Sequence, residues 1–210
     1  MSQKLLVATH NKGKVSEFAD MLADLDVAWL SLDDIGVTED VEETGATFQA
    51  NAELKALAYA RQTGLLTLAD DSGLEVDALG GQPGVYTARY GGPGLTHAQR
   101  YHLLLQNLQD VPTAERTARF RCVIVLAKPD GVLGVASGVC EGQIAFAPAG
   151  DGGFGYDPVF FLPDRGLTMA QLPAAVKHQI SHRGRAMKAI EPLLRQLLAG
   201  QDGSQSDLGR

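Results

Sequence analysis

Lys4-Leu5-Leu6-Val7-Ala8 is a short apolar run, and beyond it the hydrophobic spacing changes from strand-like to helical. Val15, Phe18, Met21, Leu22 and Leu25 share one helical face, so a strand passes through the polar turn Thr9-His10-Asn11-Lys12-Gly13-Lys14 into a helix. The alternation continues along the chain. Residues 27–30 predict a second strand, 33–46 are acidic and irregular, and 47–63 predict a helix stopped by Gly64. Residues 65–69 predict a buried strand ending at Asp70-Asp71, and the glycine- and proline-rich residues 72–95 read as a loop lining a cleft. A helix over 96–108 precedes strands at 119–128 and 132–141, joined by the turn Pro129-Asp130-Gly131. Beyond a glycine loop, 159–161 predicts a short strand. The last helix opens near Ser181 with Met187, Ile190, Leu194 and Leu197 on one face, and Pro192 within it predicts a kink or an interruption. Strands alternating with helices make the fold class α/β.

Composition narrows the class. The chain has 210 residues, 45% hydrophobic and 20% charged, as expected of a globular domain, here placed over residues 1–198. Residues 199–210 are rich in Gly, Ser, Gln and Asp and read as a disordered tail. A formal net charge of -7 disfavours nucleic acid and anionic membranes as partners, while leaving room for a local basic pocket. Cys122 and Cys140 lie in strand-like runs and read as buried reduced thiols. With no signal-like start and no long apolar stretch, a cytoplasmic protein without a membrane span is expected.

Several segments could carry chemistry. A strand-to-helix turn with Lys12 and Lys14 suits phosphate, because backbone N–H groups and the positive end of the helix dipole meet there. It is no P-loop: Val15 follows Lys14, and no glycine precedes Asn11. The plainer alternative is a capped helix start with solvated lysines. Adjacent Asp70 and Asp71 at a strand end point to opposite sides, so one can hold a divalent cation while the other braces the scaffold; an Asp-rich turn is the alternative. A Glu of Glu42-Glu43-Thr44-Gly45 could be a second metal ligand, or the segment could be a solvated acidic loop. Asn51 and Lys55 share a helical face, from which the lysine could reach a phosphate or simply face water. Gly150-Asp151-Gly152-Gly153-Phe154-Gly155 formally fits a dinucleotide fingerprint, but a strand rather than a helix follows it, so it reads as a loop offering Phe154 and Asp157 to a base. Lys177, His182 and Arg183 gather near a helix start capped by Ser181, where basic groups are unfavourable unless an anionic or carbonyl-bearing ligand compensates.

The ordered set resembles the inosine triphosphate pyrophosphatase, or Ham1, family over about residues 3–198. The motifs are Thr9 to Lys14, Glu42 to Gly45 with Asn51 and Lys55, Asp70 to Gly73, Phe154 to Asp157, and Ser181 to Arg183. Bacterial members are most similar, through Leu79-Gly80-Gly81 and the stretch from Pro83-Gly84 to Tyr90. The resemblance implies a mixed twisted sheet with flanking helices in an elongated two-lobed molecule, a site in the cleft between lobes, and a homodimer. It implies that Thr9, His10, Asn11, Lys12, Gly13 and Lys14 grip the triphosphate, and that Lys55 and Ser72 contact substrate. Glu42 and Asp71 would bind Mg2+, with Mn2+ an alternative, and Asp71 would accept the proton from water. Phe154, Gly155, Tyr156, Asp157, Lys177, His182 and Arg183 would hold base and sugar. His10 stands where many relatives have glycine, a change expected to leave the phosphate grip intact.

The implied reaction is hydrolysis of ITP, dITP and XTP to the monophosphate and pyrophosphate. Donors from His182 and Arg183 would satisfy the 6-oxo group and confront the 6-amino group of adenine. Two rivals remain open on the residues: a Maf-like pyrophosphatase acting on other modified nucleotides, and a nucleotide-binding module without catalysis.

Overall fold

The computed structural model describes residues 2–202. Seven strands form one mixed sheet in the order β2-β1-β3-β4-β5-β6-β7. β1 (Gln3–Val7) lies parallel to both β2 (Val27–Leu30) and β3 (Leu66–Val76). β4 (Thr117–Lys128) turns through Pro129 and Asp130 into β5 (Gly131–Ile144), and β6 (Phe160–Leu162) and β7 (Leu167–Thr168) complete the antiparallel side. Five α-helices accompany the strands among the described residues: α1 (Lys12–Met21), α2 (Phe48–Thr63), α3 (His97–Asn107), α4 (Ala174–Ile180) and α5 (His182–Asp202).

The helix boundaries follow local chemistry. Thr47 caps α2 by accepting from Ala50 N at 3.1 Å, and Gly64, at φ 73°, returns its N–H to Ala60 O at 2.8 Å. Thr96 and Gln99 form a reciprocal capping box at the start of α3.

Three expectations need correction. β3 does not stop at Asp70-Asp71 but runs through them to Val76, because ladder pairing outweighs the turn-like composition of Asp-Asp-Ser-Gly. The last helix is not interrupted at Pro192. That residue is exposed, as is Lys188 four positions earlier, whose carbonyl water can satisfy in place of the missing N–H. A separate helix, α4, precedes Ser181, so Lys177 belongs to the closing turn of α4 rather than to the opening of α5. A cation is favoured at that end, and its presence there needs no ligand to explain it. α5 continues through Asp202, past the point where the sequence reading begins a tail; residues 203–210 lie outside the described residues.

The chain divides into two compact units. The first takes residues up to Asp70, Val123–Ser137 and the chain from Ala186; the second takes Asp71–Cys122 and Gly138–Arg185. In the first, Leu6, Ala52, Ala56, Tyr59 and Val125 belong to one buried cluster. In the second, Leu74, Leu104, Phe120, Val159 and Phe160 do. Both cysteines are buried and neither is in a disulfide, as expected.

A buried guanidinium pins the second unit. Arg116, 1% exposed, donates from Nε to Ile144 O at 2.8 Å, from Nη1 to Leu108 O at 2.6 Å and from Nη2 to Ala145 O at 2.9 Å. Leu108 closes α3, so the charge also meets the negative end of that helix. Phe146 covers the guanidinium at 4.3 Å. Arg116→Met keeps the apolar stem but leaves those carbonyls unpaired, and is expected to cost about 3 kcal/mol in urea unfolding.

Candidate functional site

The site residues fall into two clusters, one in each unit, and each cluster is built by a short run of backbone.

In the first unit, the turn after β1 is organised by Asn11. Its side chain accepts from Gly13 N at 2.9 Å and Lys14 N at 3.4 Å, and its own N–H donates to Thr9 Oγ1 at 3.1 Å. Two of the N–H groups at this helix start are therefore capped by Asn11 itself. Lys14 reaches β3, donating to both carboxylate oxygens of Asp70 at 2.9 and 2.8 Å. Asp70 is 2% exposed, and a carboxylate so buried requires such a partner. Lys12 and Gly13 are exposed. His10 Nδ1 bonds Asp33, and Nε2 lies 3.4 Å from Asp40.

Lys55 arrives on the same strand from α2. Its ammonium donates to Asp70 O at 2.7 Å and pairs with Glu43 at 2.6 Å. One turn earlier, fully buried Asn51 accepts from Gly45 N at 2.7 Å, holding the acidic segment against α2. A Cβ on Gly45 would lie 2.6 Å from that Asn51 oxygen, so glycine is required for the close approach. Glu42 is exposed in this segment. Thr9, Asn11, Lys14 and Lys55 are thus tied into one polar network, with Lys12 and Gly13 on its rim.

In the second unit, Asp71 is 6% exposed, and its Oδ1 accepts from Ser72 N at 3.0 Å. Ser72 Oγ accepts from Arg183 Nη2 at 3.1 Å. The Arg183 guanidinium and the Lys177 ammonium both lie over the Phe154 ring, at 5.3 and 4.9 Å from its centroid. Lys177 also donates to Asp157 Oδ2 at 2.8 Å, and the same oxygen accepts from Phe154 N at 3.0 Å. Gly153, at φ 70°, makes this possible, because a Cβ there would overlap the Asp157 carboxylate. The loop is held from outside as well, by Gly152 N donating to Ala170 O at 3.0 Å.

Two members of the predicted set also bond within the protein. Tyr156 is 4% exposed and donates to Thr87 O at 3.1 Å; burial pushes its hydroxyl well above the usual tyrosine range, so it stays a neutral donor. Asp157 is 4% exposed and serves the loop and Lys177. His182, 5% exposed, begins α5, whose cap is Ser181 Oγ accepting from Gly184 N at 3.1 Å. Its imidazole stacks on Phe120, with centroids 4.7 Å apart and 18° between planes. The sequence did not show that Glu43 pairs with Lys55 or that Phe120 stacks on His182. The first is hidden among other acids, and the second is indistinguishable from any apolar strand residue.

No helix among the described residues is long and apolar enough to cross a membrane. Comparison with known proteins gives a consistent result. The model of the Ham1 family matches residues 5–193. A dITP/XTP pyrophosphatase of Geobacillus kaustophilus is 47% identical over 199 residues, covering 95% of this chain and 98% of its own. One from Geobacter sulfurreducens is 50% identical over 188 residues, covering 90% and 94%. A solved HAM1 protein from Coxiella burnetii superposes with a TM-score of 0.83 at 40% identity, covering 92% of this chain and 99% of its own.

The Lys14–Asp70 pair is largely shielded from solvent, so a double-mutant cycle with Lys14→Met and Asp70→Asn is expected to give a coupling of about 1–3 kcal/mol in denaturant unfolding, little weakened by salt. A coupling near zero would mean the two side chains are energetically independent.

Proposed function

Because the chain belongs to the Ham1 family, we propose that it hydrolyses the non-standard purine triphosphates dITP, XTP and ITP to the monophosphate and pyrophosphate. The observation that carries this is the near full-length identity to relatives named dITP/XTP pyrophosphatase.

In this reading the lysines change partners. Lys14 and Lys55 are held by Asp70 and Glu43. An incoming triphosphate offers them stronger anionic acceptors, and Asn11, Lys12 and Gly13 add donors at the start of α1. Asp71 takes the proton from the water that attacks the α-phosphorus, and pyrophosphate leaves against the lysine charges. Phe154 stacks on the base, while His182 and Arg183 donate to its 6-oxo group and Ser72 steadies Arg183.

Nucleotide pyrophosphatases generally need a divalent metal. Among the described residues no group of three or more His, Cys, Asp or Glu could hold one alone. Magnesium is usually bound by one or two carboxylates completed by substrate phosphates and water. We assign Glu42 and Asp71 as those carboxylates, hard oxygen donors that also accept manganese. When bound, the metal neutralises charge on the phosphates. The working form is read as a cytoplasmic homodimer, which sedimentation and fractionation would check.

Pyrophosphate release is expected from ITP, XTP and dITP, with little from GTP or ATP, and is expected to cease when EDTA removes the metal and return with Mg2+. Orthophosphate as product would place the cleaved bond elsewhere. Asp71→Asn is expected to lower kcat by about 10²–10⁴-fold while the protein folds normally. His182→Ala and Arg183→Ala are each expected to cut the dITP-to-dATP preference about tenfold or more, read from kcat/KM ratios.

A further inference from the structure

The Phe120 ring lies nearly parallel to the His182 imidazole, 4.7 Å away and tilted by 18°. Phe120 sits on β4 at 6% exposure, and its place is set from another side by Phe160, whose ring centroid is 4.3 Å away at 38°. Both aromatic rings belong to the same buried cluster, so the platform under the imidazole is part of the rigid core.

The backbone that carries His182 is equally constrained. Ser181 caps α5 through Gly184 N, and Arg185 N donates to Ser181 O at 2.9 Å. Gly184 allows the closing turn of α4 to approach, since a Cβ there would collide with His178 O. With the Cα fixed by the cap and one ring face fixed by Phe120, the remaining freedom of the imidazole is small. Its nitrogens lie on the ring edge, outside the stack, and their hydrogen bonds weaken steeply once the angle departs from linear. A flat partner therefore fixes the plane in which those nitrogens point. Leucine or methionine fills similar space but presents no flat face.

We propose that Phe120 is a positioning residue for base selectivity: it holds the His182 ring in the plane from which it reads the 6-oxo group. This rests on the assignment of His182 to the base. The apolar substitutions should spare the phosphate chemistry and loosen the reading of the base.

The test compares Phe120→Leu, Phe120→Met, Phe120→Tyr and His182→Ala, using dITP and dATP with Mg2+. Leu and Met are expected to lower the dITP-to-dATP ratio of kcat/KM by about tenfold, through KM for dITP with kcat little changed, as loss of uniform binding requires. Tyr, which keeps the ring, is expected to retain wild-type selectivity. Carbon-bound proton resonances of the His182 ring, shifted upfield by the stacked ring, should move downfield in Leu and Met and stay in Tyr. Two apolar variants are used so that failure of one to fold does not end the test. If His182→Ala loses selectivity while folded Leu and Met variants keep it within twofold, the positioning role is overturned and the assignment of His182 stands. If His182→Ala itself keeps selectivity, both fall together.

Discussion

A carboxylate at 2% exposure in the middle of a strand is the constraint around which the first unit is arranged. Asp70 cannot remain charged there without a cation, and Lys14 supplies one from the first turn of α1. The carbonyl of the same residue takes the Lys55 ammonium from α2. One residue of β3 thus fixes the ends of two side chains that start from different helices. The strand then continues directly into Asp71 and on to Val76.

The second unit solves the same problem with different parts. Lys177 is balanced by Asp157, and Arg183 is steadied by Ser72 and the face of Phe154. An acidic chain of net charge -7 can in this way hold buried cationic groups without leaving them uncompensated.

The parts of the fold legible in the sequence are those decided within a few residues. Thr47 and Gly64 delimit α2, Thr96 opens α3, and the Pro129-Asp130 turn joins β4 to β5. What was not legible depends on distant partners. Asp-Asp-Ser-Gly has the composition of a turn, and only the ladder around it and a lysine 56 residues away make it strand. Lys177 reads as part of a basic helix start until α4 is seen to end beside it, with its ammonium committed to a carboxylate 20 residues earlier. For the site, the residues came from ordered motifs, whereas their pairings came from the structure. Glu43, one position from Glu42, carries the ion pair to Lys55, a distinction that spacing cannot make.

The interleaving of the two units bears on how the chain is made. It crosses between them at 70–71, 122–123, 137–138 and 185–186. The unit that contains the N-terminal strand also requires α5 beyond Ala186, the last described segment to leave a ribosome. At typical rates of synthesis, β1 and α1 therefore wait on the order of ten seconds before their final packing partner exists. The second unit has all of its residues once Arg185 has emerged. The half of the molecule begun first is completed last, and during that interval its apolar strands are the segments most in need of protection from other chains.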